Sequence, residues 1–237
     1  MASRNATFYS SGVSGALFAP LKWIFYVLVL LLALILAAWI VDWIFVFKVW
    51  PDGLDRLQAI LTEDLARTAW LGGEYYDVPQ FAMRTANVLY EAIFGITGIH
   101  DMGSRFTDGT ALSIPDTIVR NTYVANYQAI QVAMIGTQLF GVRLAVLLAS
   151  SPLLVLAYAA AMTDGLVQRS IRSAGGGNES ANIYYRAKYF QVALMAAISA
   201  LCLLLPVSVD LRGILLPGAT LLVLLARYQW AYYKKHL

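Results

Sequence analysis

The sequence predicts an all-α integral membrane protein with four transmembrane helices and a helical periplasmic region between the first and the second. Three observations predict it. First, 59% of the 237 residues are hydrophobic and only 13% are charged, about half the charge of a soluble domain. Second, residues 23–49, 141–162, 189–209 and 214–230 form apolar runs near the roughly 20 residues needed to cross about 30 Å of hydrocarbon. Third, the cations are sorted. Lys and Arg concentrate beside the later runs, while the long interlude 50–140 carries an excess of acids. No period-2 alternation marks a strand anywhere.

Residues 1–22 read as a polar to mixed cytoplasmic tail, with Arg4 and Lys22 as its cations. The run 23–49 is too long for the roughly 7–15-residue core of a cleavable signal peptide, so it reads as an uncleaved signal-anchor. Trp23, Tyr26, Trp39, Trp43 and Trp50 fall toward its ends as interfacial aromatics do. Asp42 lies within this run, where an ionisable group needs water or a partner. Either it sits near the outer interface and is partly hydrated, or it pairs with Arg143, which opens the second run at the same face.

The interlude 50–140 sets five arginines against ten acids, a balance that agrees with a periplasmic position. Asp52 is expected to cap a helix striped by Leu54, Leu57, Leu61 and Leu65, ended by Gly72-Gly73. A second stripe takes in Phe81, Val88, Leu89, Ala92, Ile93 and Ile96. Residues 100–110, HDMGSRFTDGT, read as a loop. Ser113, with Asp116 three residues on and a nearby proline, reads as a helix start. That helix is expected to continue through residues 117–140 and into the second span without a break.

The second span, 141–162, covers about 33 Å at 1.5 Å per residue. Pro152 should kink it, with Ser150 and Ser151 available to the freed backbone groups. Its Ala, Gly and Ser content suits close helix contact. Residues 163–188 form a basic loop holding Arg169, Arg172, Arg186 and Lys188, which the positive-inside rule assigns to the cytoplasm. The third span is 189–209, followed by a periplasmic turn at 210–213. The fourth is 214–230, with Pro217 in its first turn. Residues 231–237 form a cytoplasmic tail of Tyr, Lys and His. Both termini are therefore expected inside.

Motifs for chemistry are sparse. His100 and His236 fall on opposite sides of the expected membrane and cannot share a metal. The glycines at 175–177 precede no Gly-Lys-Ser/Thr and follow no strand, so they read as a joint and not a phosphate loop. Cys202, the lone cysteine, reads as a small residue facing lipid or the core. Asn5 and Asn178 match the glycosylation pattern, but both fall on the cytoplasmic side. Asp164 and Glu179 read as helix-end charges. No catalytic, cofactor or metal site emerges, and no enzyme is expected. The basic segment has three uses open to it: anionic lipid, a cytoplasmic protein partner, or nucleic acid. Direct nucleic-acid binding has thin support, since Tyr184 and Tyr185 are its only aromatic platform.

The stretch Asp164 to Lys188, DGLVQRSIRSAGGGNESANIYYRAK, placed after an apolar run, resembles the inner-membrane protein family of integrating conjugative elements. The likeness lies in Asp-Gly-Leu-Val-x-Arg, a Gly-rich joint, then Glu-Ser and Tyr-x-Arg-Ala-Lys. The plan of one span, a long interlude, further spans and a basic tail is similar too. That resemblance implies a non-enzymatic accessory subunit in the bacterial inner membrane, accompanying the coupling ATPase and the type IV secretion apparatus. The partners it implies are the coupling ATPase or other secretion-system membrane subunits. Membrane lipids and a second copy of the chain, as a homo-oligomer, are further partners expected. Arg169, Arg172, Arg186 and Lys188 would make the cytoplasmic contact. A small transporter or channel subunit is the alternative, with Pro152, Pro206 and Pro217 marking broken helices.

Overall fold

The computed structural model describes residues 7–69, 77–102, 114–176, 181–208 and 210–233. Among these the chain is helical, with no strand. The helices are α1 (Thr7–Ile44), α2 (Gly53–Thr68), α3 (Val78–Tyr90), α4 (Ile114–Ala125), α5 (Tyr127–Ala174), α6 (Ala181–Leu204) and α7 (Leu211–Ala231). Single π-helical turns extend α1 over Phe45–Val49 and α3 over Glu91–Gly95. Four stretches are long and apolar enough to cross a membrane: Lys22–Val49, Tyr127–Ala174, Asn182–Leu204 and Leu211–Ala231.

α5 organises the rest. Its 48 residues extend about 72 Å at 1.5 Å per residue, more than twice a hydrocarbon core of about 30 Å. Different partners cover its two halves. α1 runs antiparallel to the first half, where Trp39 Nε1 donates to Thr137 Oγ1 at 2.9 Å and Trp43 Nε1 donates to the Ala129 carbonyl at 3.2 Å. Ile35, Ala38, Asp42 and Val46 are the buried positions of this part of α1, a single stripe at helical spacing. The remaining faces of Trp23–Leu36 stand largely exposed, as expected of a helix in lipid.

α2 and α3 do not form a body of their own. They lie along the first half of α5 as a hairpin. Leu57 and Ile60 of α2 share a core with Val46, Val132 and Leu139. Ala82 and Ala86 of α3 pack on Val142 and Ala145. A Cβ added at Gly141 would come within 2.5 Å of Ala86 Cα, so α3 approaches at backbone distance. Small residues permit such contact in membrane helices. Their charged faces (Arg56, Glu63, Arg84 and Glu91) stay exposed. The buried face of α3 is therefore narrower than its apolar stripe. Val88 and Ile96 are exposed.

Several boundaries differ from expectation. α4 and α5 are separate, because Asn126 leaves the helical region (φ −109°, ψ 14°) and its Nδ2 donates back to the Thr122 carbonyl at 2.9 Å. Asn side chains compete with the helix ladder in this way. The expected basic loop is mostly helix: α5 continues to Ala174 and α6 begins at Ala181. Asp164, Gln168, Arg169 and Arg172 are adequate helix formers. α5 gives way to a turn at Gly175-Gly176, where Gly176 takes φ +70°. Pro217 lies seven residues into α7, not in its first turn, because the helix starts at Leu211. Asp52 stands at the N-cap of α2 without a side-chain cap bond. Asp77 does cap α3, accepting from the Gln80 N–H at 3.0 Å. Gly72-Gly73, Ser113 and all but the first residues of the 100–110 loop lie outside the described residues.

Pro152 sits inside α5. It has no N–H to give, so the carbonyl of Leu148 loses its usual donor. Ser151 Oγ donates to that carbonyl at 2.7 Å, and Ser150 Oγ donates to the Val146 carbonyl at 2.8 Å. Ser151→Ala should therefore cost about 1 kcal/mol, the worth of one hydrogen bond. Thermal unfolding in detergent measures it, and no change in midpoint would show that the proline is tolerated without the serine.

Candidate functional site

Two polar constellations stand out. The first is buried, on the first half of α5. Arg143 Nε meets Asp64 Oδ2 of α2 at 2.8 Å, and the two side chains are only 3% and 4% exposed. Arg143 also donates to the carbonyls of Leu205 and Val207, the latter at 2.9 Å, in the connection between α6 and α7. Ser208 Oγ donates to Asp64 Oδ1 at 2.9 Å. One planar guanidinium thus reads a carboxylate and two carbonyls, which a lysine could not do. A cavity of about 20 Å³ adjoins it, lined by Arg67, Asp210 and Arg212 among others. It has room for one water.

Asp42 and Arg143 therefore do not form the pair considered from the sequence. Asp64 takes the arginine. Asp42 is buried, and it has no hydrogen-bond or ion-pair partner among the described residues. Its Oδ2 presses on Gly136 of α5, where an added Cβ would come within 2.5 Å. Nor does its 4% exposure leave it partly hydrated. The signal for Asp64 was present in the sequence. It falls on the stripe of Leu57, Ile60 and Thr68, all buried, and an acid on an apolar stripe calls for a buried cation.

The second constellation is the basic end. Here α7 closes on the last turns of α5. A Cβ at Gly165 would come within 2.7 Å of the Arg227 carbonyl oxygen and 2.9 Å of Trp230 Cβ. Arg172 lies 3.8 Å over the ring of Tyr232 and donates to the Ala231 carbonyl at 3.1 Å. Arg169 lies 5.5 Å over Tyr233. Tyr233 also meets Trp230 and Tyr184, bringing in α6. Trp230 Nε1 donates to the Tyr158 hydroxyl at 3.2 Å. Asp164 Oδ2 and Arg227 Nε approach to 2.5 Å, half-exposed and not aligned as a hydrogen bond. Arginine over an aromatic face is held by cation–π attraction.

Of the four cations expected to act together, two are brought together by this tyrosine platform. Arg186 and Lys188 stand exposed on α6, either side of the buried Ala187.

A family model matches residues 49–234, covering α2 through α7. Its description is "IncC plasmid conjugative DNA transfer protein DtrJ-like". The chain belongs to the DtrJ-like family. The DtrJ-like match implies a role in conjugative DNA transfer. It is described from a plasmid, where the resemblance in the 164–188 segment had pointed to integrating elements. No curated protein and no solved structure matches the chain.

Elsewhere in the DtrJ-like region, the Tyr90 hydroxyl lies 2.7 Å from His100 Nδ1. Burial, with Glu91 nearby, raises the Tyr90 phenol above its ordinary pKa. The carbonyls of Leu205 and Val207, which an unwound helix in a transporter would offer to a cation, are occupied by Arg143. Charge is used here to lock helices together at Arg143, while Arg186 and Lys188 face outward on α6.

Proposed function

We propose that this chain is a non-enzymatic, multi-pass accessory subunit of the bacterial inner membrane, serving a type IV secretion system and associating with its coupling ATPase. Membership of a conjugative DNA-transfer family over residues 49–234 carries the reading. The four apolar helices support a membrane position. The basic end supports a docking surface. Arg169 and Arg172 are held on tyrosines at the end of a long helix, and Arg186 and Lys188 are exposed on α6. Preorganised cations lose little freedom on binding, and they steer an acidic partner surface into place.

The test combines Arg169→Ala, Arg172→Ala, Arg186→Ala and Lys188→Ala in the full-length chain. Co-purification of the coupling ATPase from detergent should fall along with transfer frequency. Each 1.4 kcal/mol of lost contact weakens binding about tenfold. Normal transfer with undiminished co-purification would remove the basic end from the reading.

Sidedness is tested separately. A reporter that is active only in the cytoplasm should work when fused at Gly176 and fail at Gly109. The reverse pattern would place the basic end outside and rule out contact with a cytoplasmic motor.

A further inference from the structure

An open groove of about 420 Å³ runs between α5, α6 and α7 in the half of the molecule near the basic end. Its walls are apolar, with Leu154 and Val155 of α5, Met195 of α6 and Leu222 of α7 among them. Two polar side chains also line it, Tyr158 and Gln191. Gln191 is only 8% exposed, and its Nε2 has no acceptor among the described residues. A buried amide donor without a partner is costly. Tyr158 accepts from Trp230 and keeps its own O–H to give. The polar end of the groove thus offers two donors. The other orphan amide atom nearby in sequence to the basic end, Gln229 Oε1, is an acceptor and does not line the groove.

A ligand that fits carries acceptors at one end and an apolar chain at the other. It enters from the side, because Val155 and Val192 at the mouth are 65% and 63% exposed on a face turned away from the protein. The face of α6 adds a charge. Lys188, Gln191, Val192 and Met195 follow one another at helical spacing, so they share one stripe. Along it the surface grades from cation to amide to hydrocarbon. Lys188 stands about 4.5 Å above Gln191 along the axis, and it is exposed, free to reach toward a headgroup as lysines beside membranes do. In a phospholipid the phosphate, the glycerol esters and the acyl chain follow in that same order.

We infer that this groove binds one anionic phospholipid of the leaflet on the basic side, with its phosphate at Lys188, an ester carbonyl on Gln191 and Tyr158, and an acyl chain between α5 and α6. The volume lies within the roughly 300–1,000 Å³ typical of small-molecule sites. Headgroup charge alone would draw lipid anywhere near the basic segment. The buried amide donor makes this one place.

Native mass spectrometry of the full chain tests it, with phosphatidylglycerol or phosphatidylcholine added to the detergent. The wild type should retain one phosphatidylglycerol on activation and shed phosphatidylcholine. Val192→Trp fills the groove from an exposed position and should remove the adduct. Gln191→Leu should weaken retention about fivefold, the worth of one amide hydrogen bond. Lys188→Ala should erase the preference between the two lipids. Ile44→Trp, an exposed position far along α1, should behave as wild type.

Wild-type retention by Val192→Trp, equal retention of both lipids by the wild type, or an unchanged Gln191→Leu would each overturn the assignment. So would an equal loss in Gln229→Leu, which would mean that the two amides serve one another. A dimer in place of the lipid adduct would give the groove to a second copy, and it too would overturn the assignment.

Discussion

Replacing Arg143 with methionine is expected to destabilise the protein by about 3–5 kcal/mol, the usual result of leaving one member of a buried ion pair alone. Three things fail together. Asp64 keeps a carboxylate inside a core where its side chain is 4% exposed. The carbonyls of Leu205 and Val207 lose their donor. The α6–α7 connection loses its tie to α5. In a chain of this size the melting midpoint should drop by roughly 6–20 °C, measured by intrinsic fluorescence in detergent. Adding Asp64→Leu to the same variant should recover much of the loss, because neutral replacements for a buried pair are often tolerated. Recovery should stay incomplete, since the two carbonyls remain without a donor. A midpoint unmoved by Arg143→Met would show that this network does not hold the helices together.

The second large effect is expected at Gly141. Its Cβ position lies 2.5 Å from Ala86 Cα and 3.0 Å from the Ala86 amide nitrogen. Those are backbone atoms, so no rotamer change relieves the clash. Gly141→Val must push α3 off α5, at a cost toward the upper end of the roughly 1–3 kcal/mol seen for overpacked cores. The readout is local. Arg84 lies on the exposed face of α3 and is protected from trypsin while the helix is docked. Cleavage after Arg84 should become fast in the variant and stay slow in the parent. Equal cleavage rates in both would mean that α3 does not depend on this close approach.

How much of this could be read beforehand follows from the kind of signal each feature leaves. The apolar helices were legible because a helix long and apolar enough to cross a membrane leaves a long uninterrupted run, as Trp23–Leu36 does. The helices of the interlude were legible from the Leu57 and Leu61 stripe. Their docking was not, because the face that α3 covers on α5 is marked by Gly141 and Ala145. Small residues look the same in sequence whether they face lipid or a neighbouring helix. The partner of Arg143 was missed for a related reason. Asp42 and Asp64 both offered a carboxylate, and only the three-dimensional course of α2 decides between them. The basic segment was found, but its helical state was not, since polar residues after an apolar run mark the end of the membrane and not the end of the helix. The tyrosine platform for Arg169 and Arg172 pairs residues about 60 positions apart, beyond any local pattern.

The unbroken course of α5 has a mechanical consequence. It is gripped about a third of the way along by Arg143, while its far end carries Arg172. Those positions are about 44 Å apart at 1.5 Å per residue. A lever of that reach, rocked by about 5° around its grip, would swing the arginine end roughly 4 Å sideways at helical rise. Helices slide by shifts of that order in switching proteins. A stiff strut between the Arg143 network and the basic end can pass a push from one to the other without any helix unwinding.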